Sequence, residues 1–175
     1  MGGDEQAASV EDQLTAIGGL DHALVDAGVE YWLFGGWAVD FWVGEVTRLH
    51  DDIDVVAGRA DEDALAAALV AAGWQHAPTA EDLVGTRYRL GSAQVEVTFV
   101  ERGEAGQVVV PLPTGPVTWS PRPFGDVRVT LRGVSARTIP LALLVEGKSR
   151  PRDDPIGSAK DRADFEALSR LAGGG

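Results

Sequence analysis

The sequence predicts an α+β fold in which a small mixed β-sheet is flanked by helices. The first observation behind this prediction is the order of segments, which runs helix, strand, helix, strand, helix through the first part of the chain. The second is a pair of alternating segments around Gly91-Ser92, which indicates two strands joined by a tight turn. The third is size, because 175 residues, 45% of them hydrophobic, suit one domain with its own core.

Each predicted element has a local signal. Ser9 followed by Asp12 resembles a capping box, and apolar residues then recur at helical spacing. Glycines follow the first three predicted helices, and an apolar run before Gly35 predicts a short buried strand. Residues 101–126 are rich in glycine and proline, so we expect a loop or hairpin region there. The predicted elements are helix 10–27, strand 30–34, helix 36–43, strand 52–57, helix 61–72, strands 86–90, 94–100 and 127–131, and helices 139–146 and 158–171.

Composition excludes several classes of function. The chain contains no cysteine, which excludes disulfides, thiolate nucleophiles and zinc–cysteine sites. The net charge of −12 disfavours nucleic acid as a partner and favours a cationic small molecule, although solubility alone explains the same charge. We find no apolar run long enough to span a membrane and no signal-peptide pattern, so we expect no membrane partner and a cytoplasmic location.

The most informative motif is a glycine pair followed by two closely spaced aspartates. Gly35 and Gly36 open a predicted helix, and backbone amides at a helix N-terminus can bind phosphate. Asp52 and Asp54 then lie on the predicted second strand, where residues i and i+2 share a face. Two such carboxylates can hold a hard divalent cation such as Mg²⁺. The motif therefore predicts chemistry on a nucleoside triphosphate, although an aspartate pair at a strand start can also serve turn or arginine partners.

The residues around this motif carry a resemblance to a known family. The runs VEYWLFGGWAVD at 29–40 and TRLHDDID at 47–54 resemble antibiotic nucleotidyltransferases of the lincosamide and aminoglycoside 2''-types, within the DNA polymerase β superfamily. The resemblance implies a polymerase β-like nucleotidyltransferase fold and transfer of a nucleoside monophosphate, usually AMP from ATP, to a hydroxyl group with release of pyrophosphate. It also implies a role in antibiotic resistance and the expectation of a homodimer.

The resemblance also implies roles for acidic residues. Asp52 and Asp54 would hold two Mg²⁺ ions together with a third carboxylate on a neighbouring strand. Glu96 is the best candidate for this ligand and for the general base, although a solvent-facing position is an alternative. Glu101 is a competitor beyond the strand end, and Asp51 is expected to face away from Asp52. The catalytic and metal-binding set is therefore Asp52, Asp54 and Glu96.

Candidate phosphate-binding residues lie at the glycine turn, before the aspartate strand and near the C-terminus. For Arg48 and His50, which precede the aspartate strand, the alternative role is a surface ion pair with Asp51. For Lys160 the alternative is an ion pair with Asp164 one helical turn away. We also expect His50 to be partly protonated and to orient Asp52 or phosphate, and Trp119 could line an adenine or acceptor pocket. The nucleotide-binding candidates are Gly35, Gly36, Trp37, Arg48, His50, Lys148 and Lys160.

The expected organisation is a disordered segment at 1–9 followed by one nucleotidyltransferase domain at 10–172, with a catalytic core at 10–100 and C-terminal strands and helices at 101–172. The acceptor stays open between an aminoglycoside and a lincosamide. A nucleotidyltransferase toxin that modifies RNA or protein, and a non-catalytic nucleotide-binding relative, are the alternative functions.

Overall fold

The computed structural model describes residues 7–150 and 152–173, and it confirms the predicted α+β class. Within these residues, a mixed sheet of seven strands and a separate two-stranded hairpin are accompanied by five α-helices. In chain order the elements are α1 (Val10–Asp26), β1 (Tyr31–Phe34), α2 (Gly35–Val43), β2 (Ile53–Gly58), a 3-10 turn (Arg59–Asp61), α3 (Glu62–Ala71), β3 (Gln75–His76), β4 (Gly85–Leu90), β5 (Ala93–Arg102), β6 (Val108–Leu112), β7 (Gly115–Ser120), β8 (Arg128–Leu131), β9 (Val134–Arg137), α4 (Leu141–Ser149) and α5 (Pro155–Gly173).

The main sheet has the strand order β1-β2-β5-β4-β3, and β6 and β7 extend from the far end of β5. β2 and β5 are parallel, whereas the pairs β1–β2 and β4–β5 are antiparallel. The parallel register places Asp54 directly opposite Glu96. Since both strands begin at the same edge, carboxylates near their first residues meet there.

The core forms where α1, α2 and α3 pack against strands of the sheet, and α1 also packs against α3. Helix α1 begins with the predicted capping box: the Asp12 amide donates to the Ser9 hydroxyl at 3.1 Å, and the Ser9 amide donates to the Asp12 carboxylate at 3.3 Å. Its apolar stripe is buried at helical spacing by Leu14, Ile17, Leu20 and Leu24. This packing anchors the sheet edge from which the carboxylates project.

Two strands were not expected from the sequence, the short edge strand β3 and strand β9. The region at 101–126 contains the hairpin β6–β7, in agreement with the predicted loop or hairpin. Helix α5 begins at Pro155, earlier than expected, because proline is well suited to the first turn of a helix. Strand β2 begins at Ile53, so Asp52 lies in the bend just before it.

The predicted disordered segment falls largely outside the described residues, which begin at residue 7, and Ser9 caps α1. The predicted division between residues 100 and 101 falls inside β5. Among the described residues, we find no helix that is long and apolar enough to cross a membrane.

Candidate active site

Three carboxylates meet at the edge of the sheet where β2 and β5 begin. Asp54 and Glu96 are register partners on these parallel strands, and Asp52 lies two residues before Asp54. One carboxylate oxygen from each residue lies within 4.8 Å of the corresponding oxygens of the other two. The structure thus brings together the three carboxylates that the sequence singled out, in an arrangement whose hard oxygen ligands suit Mg²⁺.

The electrostatics of this triad favour a bound cation. Burial, together with the neighbouring charges of Asp52 and Glu96, raises the pKa of Asp54 to about 7. Burial and the Asp52 charge likewise raise the pKa of Glu96 to about 7. The positive charges of Lys148 and Arg48 offset only part of the effect at Asp54. A divalent cation would relieve the repulsion among the three groups, so the residues present fit a metal site.

The glycine turn closes over the triad. Gly35 has a φ of +66°, and a Cβ there would lie less than 3.0 Å from the Asp54 carboxylate. A Cβ on Gly36 would lie less than 3.0 Å from the side chains of Arg48 and His50. A Cβ would therefore strain the backbone at Gly35 and displace the Arg48 or His50 side chain at Gly36, because the start of α2 lies directly against the charged groups of the site.

His50 pairs with Asp40, a partner that the sequence did not suggest. Its Nε2 lies 2.5 Å from Asp40 Oδ2, and both side chains are buried. Asp40 also accepts hydrogen bonds from the amide and hydroxyl of Thr47, at 3.1 Å and 2.6 Å. Asp40 on α2 thus binds both the His50 imidazole and Thr47, and these contacts fix the loop that leads into β2.

Trp37 is a core residue in its side chain. The indole is 1% exposed, its Nε1 donates to Gln13 Oε1 at 2.9 Å, and its ring lies 4.6 Å from that of His50. Gln13 in turn donates to the His50 carbonyl at 2.8 Å. Any contact of Trp37 with phosphate would therefore use its backbone amide at the helix start.

The triad and the glycine turn share one cavity of about 410 Å³ with several cations. Lys148 forms ion pairs with Asp161 at 3.0 Å and with Asp164 at 2.9 Å. Lys160 pairs with Asp51 at 2.6 Å, not with Asp164 as the helix spacing suggested. The cations that line the cavity are Arg48, Lys148, Arg152 and Lys160.

The two competing carboxylates lie outside the triad. Glu101 lines a separate cavity at the opposite end of the sheet, because β5 runs on beyond Glu96. Asp51 lies at the mouth of the main cavity, where its side chain is exposed and paired with Lys160.

Sequence reasoning missed Arg87, whose Nη1 lies 2.9 Å from Glu96 and whose Nε lies 2.8 Å from Asp82. The turn at Gly91-Ser92 offered a signal: counting outward from it by equal steps pairs Arg87 with Glu96. Arg87 therefore holds the third carboxylate of the triad from the neighbouring strand.

One wall of the cavity is apolar. Trp119 on β7 packs edge-on against Phe34, with ring centroids 5.3 Å apart. Leu143 and Leu144 on α4 continue this wall, next to Lys148. The position of Trp119 agrees with the suggestion that it lines a pocket of the site.

An acidic triad at the start of two parallel strands, beside a glycine turn that opens a helix, is the arrangement of the nucleotidyltransferase class of folds. The family model described as aminoglycoside-2''-adenylyltransferase matches residues 17–139, and the chain belongs to this family. The 2''-aminoglycoside nucleotidyltransferases of Escherichia coli and Klebsiella pneumoniae are 44% identical to it over 43 residues, which cover 25% of this chain and 24% of each relative. The aligned region thus spans about a quarter of the length of these curated relatives.

Solved structures share the fold at low sequence identity. The lincomycin-bound lincosamide antibiotic adenylyltransferase LnuA aligns with a TM-score of 0.70 and 17% identity, covering 95% of this chain and 99% of that one. The solution structure of the antibiotic-resistance factor ANT(2'')-Ia aligns with a TM-score of 0.67 and 17% identity, covering 95% and 87%. These similarities confirm the predicted fold over nearly the whole chain.

Proposed function

We propose that this protein transfers AMP from ATP to a hydroxyl group of an aminoglycoside antibiotic and releases pyrophosphate. The observation that carries the proposal is the single cavity in which Asp52, Asp54 and Glu96 face the Gly35-Gly36 turn and four cations. Family membership supplies the reaction and the acceptor class. The relatives are named as enzymes of this kind, which agrees with a role in antibiotic resistance.

The triad would hold the divalent metal. Asp52 and Asp54 would serve as shared ligands for two Mg²⁺ ions, and Glu96 would be the third ligand. Bound Mg²⁺ would neutralise charge on the triphosphate and make the acceptor hydroxyl more acidic. The raised pKa values of Asp54 and Glu96 support this assignment, because a bound cation favours the ionised form of both groups.

The remaining chemistry depends on this chain's own residues. The amides at Gly35 and Gly36, with Arg48 and Lys148, would bind the β- and γ-phosphates and leave the α-phosphate beside the triad. Glu96 would accept the proton of the acceptor hydroxyl, whose oxygen then bonds to the α-phosphorus. The bond between the α-phosphorus and the oxygen that bridges to the β-phosphorus breaks, and pyrophosphate leaves with the electron pair of that bond on this oxygen.

The acceptor preference follows from charge and family together. A net charge of −12 attracts a polycationic acceptor. LnuA is named as a lincosamide adenylyltransferase, so a lincosamide is the second candidate acceptor. The proposal also includes a cytoplasmic location, where ATP is supplied. It includes a homodimer, which light scattering would detect.

The test uses purified protein with ATP, Mg²⁺ and a panel of aminoglycosides and lincosamides. Pyrophosphate release is followed together with the mass of the antibiotic. We expect an aminoglycoside to gain one AMP group and Asp52→Asn to form no product. Absence of pyrophosphate release with every acceptor would contradict the proposal. Modification of lincosamides alone would show that the acceptor is a lincosamide and not an aminoglycoside.

A further inference from the structure

Asp164, on helix α5, is a buried carboxylate shared by two cations of the cavity. Its side chain is 0% exposed. Arg48 Nε donates to Asp164 Oδ1 at 3.0 Å, and Arg48 Nη2 donates to Oδ2 at 3.1 Å. Lys148 Nζ lies 2.9 Å from the same Oδ2. Charge-assisted hydrogen bonds and bidentate arginine pairs are stronger than hydrogen bonds between neutral groups.

These two cations come from distant parts of the chain. Arg48 lies in the loop before β2, and Lys148 lies in the last turn of α4. Both line the cavity, and the Arg48 guanidinium lies against Gly36 at the start of α2. Asp164 therefore ties the glycine turn to the C-terminal helices at the place where phosphate would bind.

The neighbouring carboxylate Asp161 extends this network without replacing Asp164. It accepts from Lys148 at 3.0 Å and lies 2.7 Å from Arg152 Nε, but it does not reach Arg48. Burial alone would raise the pKa of Asp164, yet hydrogen bonds from Arg48 and Lys148 outweigh burial and lower it. Asp164 is therefore ionised at neutral pH and keeps two mutually repelling cations side by side.

Holding two cations in advance matters for a triphosphate ligand. Free Arg and Lys side chains lose rotamer entropy when they bind a ligand, and fixed ones do not. AMP lacks the β- and γ-phosphates that such cations would contact.

The residues Lys148, Asp161 and Asp164 also lie beyond the region that the family model matches, which ends at residue 139.

We propose that Asp164 is a positioning residue that presents Arg48 and Lys148 to the β- and γ-phosphates of the nucleotide. This inference rests on the proposed function, because it assigns the cations to the donor nucleotide. Asp164 does not touch the ligand itself; it acts through the two side chains that it holds.

A merely structural role is the competing explanation, since α5 packs against α2 and α4 through the same region. Loss of packing would lower the folded fraction and weaken every ligand alike. Loss of positioning would weaken ATP far more than AMP, because only ATP carries the terminal phosphates. The ratio of the two affinities therefore separates the two roles.

The experiment measures dissociation constants for ATP and AMP with Mg²⁺ by calorimetry, for the wild type and Asp164→Asn. The matched control is Asp21→Asn, because Asp21 also holds an arginine, Arg128 at 2.7 Å, but lies outside the cavity lining. We expect Asp164→Asn to raise the dissociation constant for ATP by roughly tenfold or more and that for AMP by less than about twofold. Asp21→Asn should leave both constants unchanged.

A further pair of variants reduces the charge imbalance that could prevent Asp164→Asn from folding, because one cation rather than two then loses its carboxylate. Lys148→Met removes one of the two cations, and Asp164→Asn is then added in that background, which leaves Arg48 without its anchor. We expect ATP affinity to fall again in the double variant and AMP affinity to hold.

The outcomes separate the two levels of proposal. A wild type that binds neither nucleotide with Mg²⁺ would contradict the proposed function itself. A wild type that binds ATP, with an ATP-to-AMP ratio unchanged by Asp164→Asn, would overturn only the role of Asp164. The same holds if the double variant binds ATP as well as Lys148→Met does.

Discussion

Replacing Asp54 by asparagine should stabilise the metal-free protein while it abolishes transfer. The pKa of Asp54 is about 7 in the folded protein, against 3.8 for the unperturbed group. This difference corresponds to about 4 kcal/mol of unfavourable free energy once Asp54 is ionised, at roughly 1.4 kcal/mol per tenfold change in proton affinity. Asparagine has a similar shape and carries no charge, so the variant lacks this unfavourable free energy.

The sign of the pH dependence follows from proton binding. Between about pH 4 and pH 7 the folded wild type holds a proton on Asp54 that the unfolded chain has released. Its stability therefore falls as the pH rises through this window and levels off above about pH 7. The advantage of Asp54→Asn should grow by about 2–3 kcal/mol between pH 5 and pH 8.5.

Urea unfolding with a chelator at both pH values measures this difference, with Asp61→Asn, a half-buried aspartate on the 3-10 turn outside the triad, as the control. Added Mg²⁺ should stabilise the wild type and not Asp54→Asn, because only the wild type offers the complete triad. A variant that is less stable than the wild type at pH 8.5, or an advantage that does not change with pH, would refute the electrostatic reasoning.

Four further changes test other parts of the site and fold. Glu96→Gln should lower the rate of AMP transfer by at least about a hundredfold if Glu96 is the general base, with ATP binding retained; single-turnover kinetics and calorimetry measure the two effects. Gly36→Ala should weaken ATP binding, because its Cβ meets Arg48, whereas Gly19→Ala, in open space on α1, should stabilise the fold by about 0.5–1 kcal/mol. Leu65→Ala, in the core, should cost about 2–5 kcal/mol in urea unfolding.

The parts of the fold that follow from local signals were predictable. The capping box, the glycines that end the helices and the alternation around Gly91-Ser92 are short-range features, and the structure shows them close to where the sequence placed them. Strand β3 has two residues and strand β9 has four, too few for periodicity to separate them from loop. Their pairing partners, not their own residues, decide that they are strands.

The candidate site divides in the same way. Asp52 and Asp54 share a short motif, and Glu96 was placed by its position on an alternating strand and by resemblance. The contacts of His50 with Asp40 and of Arg48 with Asp164 depend on tertiary packing. Asp164 is 116 residues from Arg48 in sequence, and its own helix spacing suggested a pairing with Lys160 that the fold does not form.

The central claim is that the triad at the start of β2 and β5 catalyses transfer of AMP to an aminoglycoside. Mass spectrometry of the antibiotic after incubation with ATP, Mg²⁺ and the protein tests it most directly. We predict a product heavier by one AMP group with the wild type, and none with Asp54→Asn, whose fold we expect to stay intact. Equal amounts of product with both proteins, or no modified aminoglycoside with a wild type that binds ATP, would contradict the claim.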